Sequence, residues 1–111
     1  MPCSLKKDPT LAFDFLAAPG AKATIFVEND AGSAVIESGD LNGTDLPVGA
    51  DGKITTPKLV AGLAVLSITV NVVLNGDEVR VKEDCGGGTT NLLKKFVFNG
   101  DPLKRYQINV A

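Results

Sequence analysis

Histidine is absent from this chain of 111 residues, and cysteine occurs only twice. Histidine is the commonest general base and a frequent zinc ligand, so its absence excludes Ser-His-Asp and Cys-His catalytic devices. Two thiolates cannot build a four-thiolate zinc site. Only carboxylates and lysines remain as catalytic material. The composition therefore favours a protein without enzymatic activity.

Long apolar runs, basic clusters and aromatic side chains are also scarce. The longest apolar stretch, residues 59–74, is interrupted by polar residues and falls short of the roughly 20 residues that span a membrane. The formal charge is −2 and aromatic residues make up only 5%, so we expect no nucleic-acid-binding face. No leader peptide is recognisable at the start. The pattern is that of a cytoplasmic protein, or of a secreted protein whose leader has been removed.

Residues 63–85 show the period-two alternation of a half-buried β-strand pair. Asn75-Gly76 suits a two-residue type I′ turn, which requires positive φ at both positions, so the sequence predicts a long β-hairpin here. On the return strand Val79 and Val81 alternate with charged residues. The apolar residues of the first strand are Leu66, Ile68, Val70, Val72 and Leu74.

Turn signals rich in Gly, Asn and Asp recur along the whole chain, with β-branched segments between them. This spacing is typical of an all-β sandwich, and we predict one antiparallel two-sheet domain of seven to nine strands. A second hairpin is predicted around Asn99-Gly100, and residues 1–9 are expected to be a flexible segment. The predicted strands are residues 10–16, 22–28, 34–38, 45–48, 53–57, 63–74, 78–84, 92–98 and 104–110.

The two cysteines, Cys3 and Cys85, allow three interpretations. Cys85 shares a face with Val79 and Val81, so it is expected to point inward. A Cys3–Cys85 disulfide would close a loop of about 80 residues and stabilise the fold by roughly 4 kcal/mol. Alternatively both thiols are reduced, with Cys85 acting as a small buried hydrophobe. In a third interpretation Cys3 is the lipid-modified first residue of a bacterial lipoprotein.

A loop rich in oxygen ligands is the only candidate metal site in the sequence. It contains Asp40, Asn42 and Asp45, with Asp51 further on. Calcium takes six to eight oxygen ligands, and alternating Asp and Asn residues supply them. However, glycine stands at the fourth position rather than the sixth, and the twelfth position is not glutamate. The pattern favours a plain loop over a calcium site.

Glycine occupies three consecutive positions, Gly86, Gly87 and Gly88, after Glu83-Asp84. A phosphate-binding loop would lead into a helix and carry a following lysine, whereas this segment lies between two predicted strands. We interpret it as a flexible connection that adapts to a partner. The acidic pairs Glu83-Asp84 and Asp40 with Asp45 are the remaining candidates for a carboxylate-based hydrolase. Solvated loop charges are the simpler interpretation of both pairs.

Part of the chain resembles a known family of extracytoplasmic modules. The order of a strand at residues 23–28, a turn at 29–32, a strand at 34–36, Asp51-Gly52 and residues 59–62 is similar to transthyretin-like, carboxypeptidase-regulatory-like domains, and more loosely to Ig-like domains of flagellar hook-capping proteins. The resemblance covers residues 23–70. It implies a secreted or periplasmic accessory sandwich that binds or spaces other proteins and performs no chemistry.

These observations together predict a non-enzymatic binding or structural module of a surface or envelope assembly. Association with a protein partner or with a second copy through sheet edges is the expected mode of action. The alternative is a small-ligand module that binds a saccharide or calcium through the loop of Asp40 and Asp51. A secreted, periplasmic or cell-surface location is favoured over the cytoplasm.

Overall fold

The structure, a computed structural model, describes residues 3–71 and 73–111. It contains ten strands in the described part of the chain: β1 (Lys6–Lys7), β2 (Phe15–Ala17), β3 (Thr24–Glu28), β4 (Val35–Leu41), β5 (Thr44–Leu46), β6 (Ile54–Thr55), β7 (Gly62–Asn71), β8 (Glu78–Gly86), β9 (Thr89–Val97) and β10 (Leu103–Val110).

The strands form two sheets packed face to face. One has six strands in the order β1-β2-β10-β7-β4-β5, and the other has four in the order β6-β3-β8-β9. All neighbours are antiparallel except β2 and β10, which run parallel. The predicted all-β two-sheet sandwich is confirmed. Within the described residues, no helix is long and apolar enough to cross a membrane.

The core lies between the two sheets and follows the alternation of the sequence. Inward positions on β7 and β8 are buried, as predicted, because successive side chains of a strand point to opposite faces. Burying each aliphatic side chain of this size contributes about 1.5–3 kcal/mol. Leu74 departs from the pattern with 76% exposure, because it lies beyond the end of β7, and Val72 is outside the described residues. The buried residues of the two strands include Leu66, Ile68, Val70, Val79 and Val81.

Both predicted hairpins are wrong, because their strands lie in different sheets. β7 pairs with β10 and β4, whereas β8 pairs with β3 and β9. A type I′ turn needs positive φ at both central residues, and Gly76 has φ of 92° while Asn75 does not adopt a positive φ. Gly100 likewise has a positive φ without Asn99. The two Asn-Gly connections therefore carry the chain from one sheet to the other.

Two other tight turns form the real hairpins of the fold. Asn42 and Gly43, with φ of 52° and 83°, connect β4 to β5. Gly87 and Gly88, with φ of 61° and 82°, connect β8 to β9. Positive φ at both central residues matches the twist of the flanking strands, so these two dipeptides are compatible with closely paired strands.

The N-terminal segment belongs to the fold from Cys3 onward. Leu5 is completely buried, and β1 pairs with β2 at the edge of the six-stranded sheet. Asp8 is also buried, and its carboxylate accepts hydrogen bonds from the backbone N–H groups of Thr10 (2.9 Å) and Phe13 (2.9 Å). Residues 3–8, expected to be flexible, are thus packed against the sandwich, while residues 1 and 2 are outside the described residues.

Candidate protein-interaction site

The two cysteines form a disulfide. The sulfur atoms of Cys3 and Cys85 are 1.96 Å apart, and the bond joins residues separated by 82 positions. Cys85 points inward on β8, as the alternation predicts. The reduced and lipid-modified interpretations of Cys3 are therefore wrong. The bond ties the start of the chain to the end of β8.

Glu83 fixes the same segment from inside the core. Its carboxylate accepts hydrogen bonds from the backbone N–H groups of Ser4 (2.9 Å) and Leu5 (3.0 Å), and its exposure is 2%. The interpretation of Glu83 as a solvated loop charge was wrong. The signal that was missed is parity, because Glu83 falls on the inward series of β8 between Val81 and Cys85.

The carboxylates of Glu83 and Asp84 point to opposite faces of β8, because successive side chains of a strand alternate. Asp84 lies on the outer face, where its carboxylate pairs with the ammonium of Lys53 at 2.8 Å. The hydrogen bond from Lys53 is the main reason that the pKa of Asp84 lies below its ordinary value of 3.8. The carboxylate of Glu83 therefore binds the N-terminal segment inside the core, and that of Asp84 forms an ion pair on the outer face.

The oxygen-rich loop is distributed over a hairpin and a separate turn. Asp40 and Asp45 are directly opposite each other on β4 and β5. Asn42 Oδ1 accepts the N–H of Val65 at 2.8 Å, and Asp51 Oδ1 accepts the N–H of Lys53 at 3.1 Å. Calcium or saccharide binding by this loop stays a prediction. A shallow cleft of about 390 Å³ lies beside it and is lined by Glu37, Ser38, Gly39, Asp45, Leu46, Pro47 and Val48.

One group of three metal-ligand side chains occurs within residues 3–71 and 73–111, namely Cys3, Glu83 and Cys85, with ligand atoms within 4.8 Å of one another. In the oxidised protein both sulfur atoms are bonded to each other. Both carboxylate oxygens accept backbone hydrogen bonds. The group therefore acts as a covalent and hydrogen-bonded anchor for the N-terminal segment.

The outer face of the four-stranded sheet is covered by its own ion pairs. Glu28 accepts from Lys82 (2.5 Å) and Arg80 (3.3 Å), and Arg80 also reaches Asp30 (3.1 Å). The hydrogen bond from Lys82 is the largest cause of the lowered pKa of Glu28. Because these charges neutralise one another, β3 and β8 contribute little net charge to this face.

The four sheet edges differ strongly in length. β1 and β6 have two residues each, and β5 has three and is followed by Pro47. Short edge strands and proline prevent pairing with other chains. By contrast β9 has nine residues, and its only strand neighbour in the described structure is β8. It is the edge that most resembles a template for an added strand.

Along part of this edge, backbone groups of β9 point away from β8. Phe98 donates its N–H to Asp77 (2.8 Å) and accepts from Gly76 (2.8 Å), so its backbone faces β8. Backbone direction alternates along an antiparallel strand, which directs the N–H and C=O groups of Val97 and Lys95 away from β8. A register shift interrupts this alternation beyond Lys94. The backbone groups that face away from β8 are therefore those of Lys95 and Val97. The side chain of Val97 is also accessible to a partner, since the residue is 61% exposed.

Gly86, Gly87 and Gly88 lie at the opposite end of β9 from these positions. Gly86 pairs with Thr89, and the other two form the tight turn. Adaptation of this turn to a partner stays a prediction. The edge of β9 was not singled out from the sequence, since the erroneous hairpin at Asn99-Gly100 paired this strand with residues 104–110.

Compared with protein-family models, curated proteins and solved structures, the chain matches none of them. The resemblance to transthyretin-like domains remains an expectation from the residues alone. What the protein does must therefore be inferred from its own contacts.

Proposed function

We propose that this protein is a non-enzymatic extracytoplasmic interaction module that binds an extended segment of another protein as an additional strand on β9. The observation that carries the proposal is the contrast between β9, with nine residues, and three edges of two or three residues. In strand addition, main-chain hydrogen bonds provide affinity and neighbouring side chains provide specificity.

The disulfide supports the extracytoplasmic part of the proposal. Disulfides form and persist in oxidising compartments and are rare in the cytosol. Here the bond holds the N-terminal segment against the same side of the sandwich as β9, since Asn91 of β9 donates to the carbonyl of Leu5 at 3.5 Å. Formation of the disulfide therefore also places the N-terminal segment next to β9.

Selection of linear peptides from a displayed random library tests the proposal. Peptides selected on the wild-type protein are then measured against Val97→Pro and Val97→Thr. Proline removes one outward N–H and leaves the ladder with β8 intact, whereas threonine keeps that N–H and a β-branched side chain. We expect binding to fall about tenfold or more in Val97→Pro and to persist in Val97→Thr.

The comparison requires that both variants keep the melting temperature of the wild type within a few degrees. We expect that they do, because the N–H of Val97 points away from β8. A selection that yields no wild-type binder contradicts the proposal. So does a set of peptides that bind Val97→Pro as tightly as the wild type.

A further inference from the structure

The fold brings one basic residue of the six-stranded sheet close to the lysine pair of β9. Lys94 and Lys95 lie on β9, and Lys104 and Arg105 lie on β10 in the other sheet. The ammonium of Lys104 lies 4.6 Å from the ring centre of Phe96 on β9. Lys104, which shares the inward series of β10 with the buried Tyr106, therefore reaches the open half of the β9 edge, whereas Arg105 lies on the outer series of its own sheet.

Lys94 of β9 is linked to β10 through Asp14. Its ammonium pairs with Asp14 Oδ1 at 3.1 Å, and Asp14 Oδ2 accepts the N–H of Gln107 on β10 at 2.8 Å. The other three cations, Lys95, Lys104 and Arg105, form no ion pair with any residue in the described part of the chain. Of these four cations, only Lys94 is thus neutralised by Asp14, in a protein whose formal charge is −2.

Two further carboxylates lie near this region and are already engaged. Glu78, opposite Val97 in the ladder, is 4.0 Å from Arg80. Asp101 accepts the backbone N–H of Leu103 at 3.1 Å. Neither carboxylate forms an ion pair with Lys95 or Lys104 in the described part of the chain, so these two ammonium groups are available to a partner.

Contacts at the other half of the strand limit where a partner can dock. Next to Asn91, the N-terminal segment passes between the sheets and is held by the Cys3–Cys85 bond and by Glu83. The outward backbone groups of Lys95 and Val97 lie in the half that this segment leaves open. The site for an added strand and the unpaired ammonium group of Lys95 consequently coincide.

We infer that the segment added to β9 is acidic, with aspartate or glutamate on its outer face beside Lys95 and apolar residues on its inner face beside Phe96. This inference rests on the proposed function and names the class of partner for the same site. Complementary charges at the rim of an interface steer association and exclude wrong partners, so a neutral or basic strand binds less well.

Fluorescence anisotropy with synthetic peptides tests the inference. The probes are three labelled ten-residue peptides in which valine or threonine alternates with glutamate, with glutamine or with lysine. We expect the glutamate peptide to bind about tenfold more tightly than the glutamine peptide, and the lysine peptide to bind most weakly. The difference should shrink at about 0.5 M NaCl, because salt screens exposed charges.

A charge-reversal variant locates the effect. Lys95→Glu should favour the lysine peptide, whereas Lys58→Glu, which changes an exposed lysine outside this region, should keep the wild-type preference. Equal affinities for the glutamate and glutamine peptides, both lost in Val97→Pro, would overturn the acidic partner and leave strand addition intact. Glutamate-peptide binding that survives Val97→Pro would contradict strand addition itself. Tighter binding of a poly-uridine oligonucleotide than of the glutamate peptide would overturn the inference in favour of nucleic acid.

Discussion

At the scale of single residues, Glu83 shows how one buried carboxylate organises a chain terminus. Its side chain is polar, yet it sits in the core because its two oxygens accept hydrogen bonds from two backbone N–H groups outside any strand ladder. Buried polar groups are tolerated when they are hydrogen-bonded in this way. The carboxylate therefore accepts the hydrogen bonds from Ser4 and Leu5 that a neighbouring strand would otherwise accept.

We predict that Glu83→Gln destabilises the protein by about 1–3 kcal/mol, because an amide accepts at only one of these positions and turns its own NH₂ toward the other N–H. Urea unfolding measures the loss. Glu37→Gln, at an exposed position, is the matched control and should change the free energy of unfolding little. Equal effects of the two substitutions would contradict the role assigned to Glu83.

Asp8 makes a pH-dependent contribution to stability. The hydroxyl of Thr10, and then the N–H groups of Phe13 and Thr10, hold the pKa of Asp8 below its ordinary value of 3.8. A pKa that is lower in the folded than in the unfolded state stabilises the protein above the unfolded pKa, and this contribution disappears as the pH falls through the folded pKa.

We therefore predict that Asp8→Asn lowers the unfolding midpoint at neutral pH and that its difference from the wild type narrows below about pH 4. Thr10→Ala removes the hydroxyl group that lowers the pKa of Asp8 most. The stability of this variant should therefore depend less on pH than that of the wild type, as expected for Asp8→Asn. Thermal unfolding at a series of pH values measures both. A difference that is constant with pH would count against this assignment.

At the scale of strands, position and burial were predictable, whereas pairing was not. Alternation is a local property, so Leu66 and Val79 were correctly placed in the core before their neighbours were known. Pairing depends on the backbone conformation of the connection, and Asn75-Gly76 and Asn42-Gly43 have the same sequence. Only the second pair has positive φ at both positions, and nothing local in the dipeptide distinguishes them.

The N-terminal segment is the element whose attachment is most open to experiment. The double variant Cys3→Ser with Cys85→Ser should lose up to about 4 kcal/mol of stability, because the bond closes a loop of 82 residues in the unfolded chain. The amides of Ser4 and Leu5 should then exchange faster with solvent, since Glu83 alone holds them. Denaturant unfolding and residue-resolved hydrogen exchange measure these effects, and unfolding that is unaltered by the double substitution would contradict them.

At the scale of the whole molecule, the four edges determine whether the protein stays a monomer. Lysines on an edge strand oppose pairing with another copy, and Lys95 is the exposed charge on β9. A symmetric pairing centred on Lys94 and Lys95 would bring the lysines of both copies together. The same charges that attract an acidic strand thus disfavour self-association.

We expect Lys95→Val to associate in a concentration-dependent manner under conditions in which the wild type does not. Lys7→Val, on the two-residue strand β1, provides the matched control and should behave as the wild type. Sedimentation velocity over a range of concentrations measures both. Identical sedimentation of Lys95→Val and wild type at all concentrations would show that Lys95 does not protect this edge.

The candidate site could be predicted from the sequence only in general form. Association through a sheet edge follows from any open sandwich, and the basic pairs at 94–95 and 104–105 are visible in the sequence. The approach of Lys104 to β9 depends on β9 and β10 lying in different sheets, whereas the hairpin predicted at Asn99-Gly100 paired these two strands directly. Without that pairing, β9 has a strand neighbour on one side only within the described residues.

Residue-resolved amide exchange of the free protein and of its complex with the tightest-binding selected peptide tests strand addition at β9 most directly. We predict that the peptide slows exchange at Lys95 and Val97, whose N–H groups face outward, and changes Phe96 little because its backbone already faces β8. Protection that appears instead at β1, β5 or β6, or that is absent from Lys95 and Val97, would contradict the proposal.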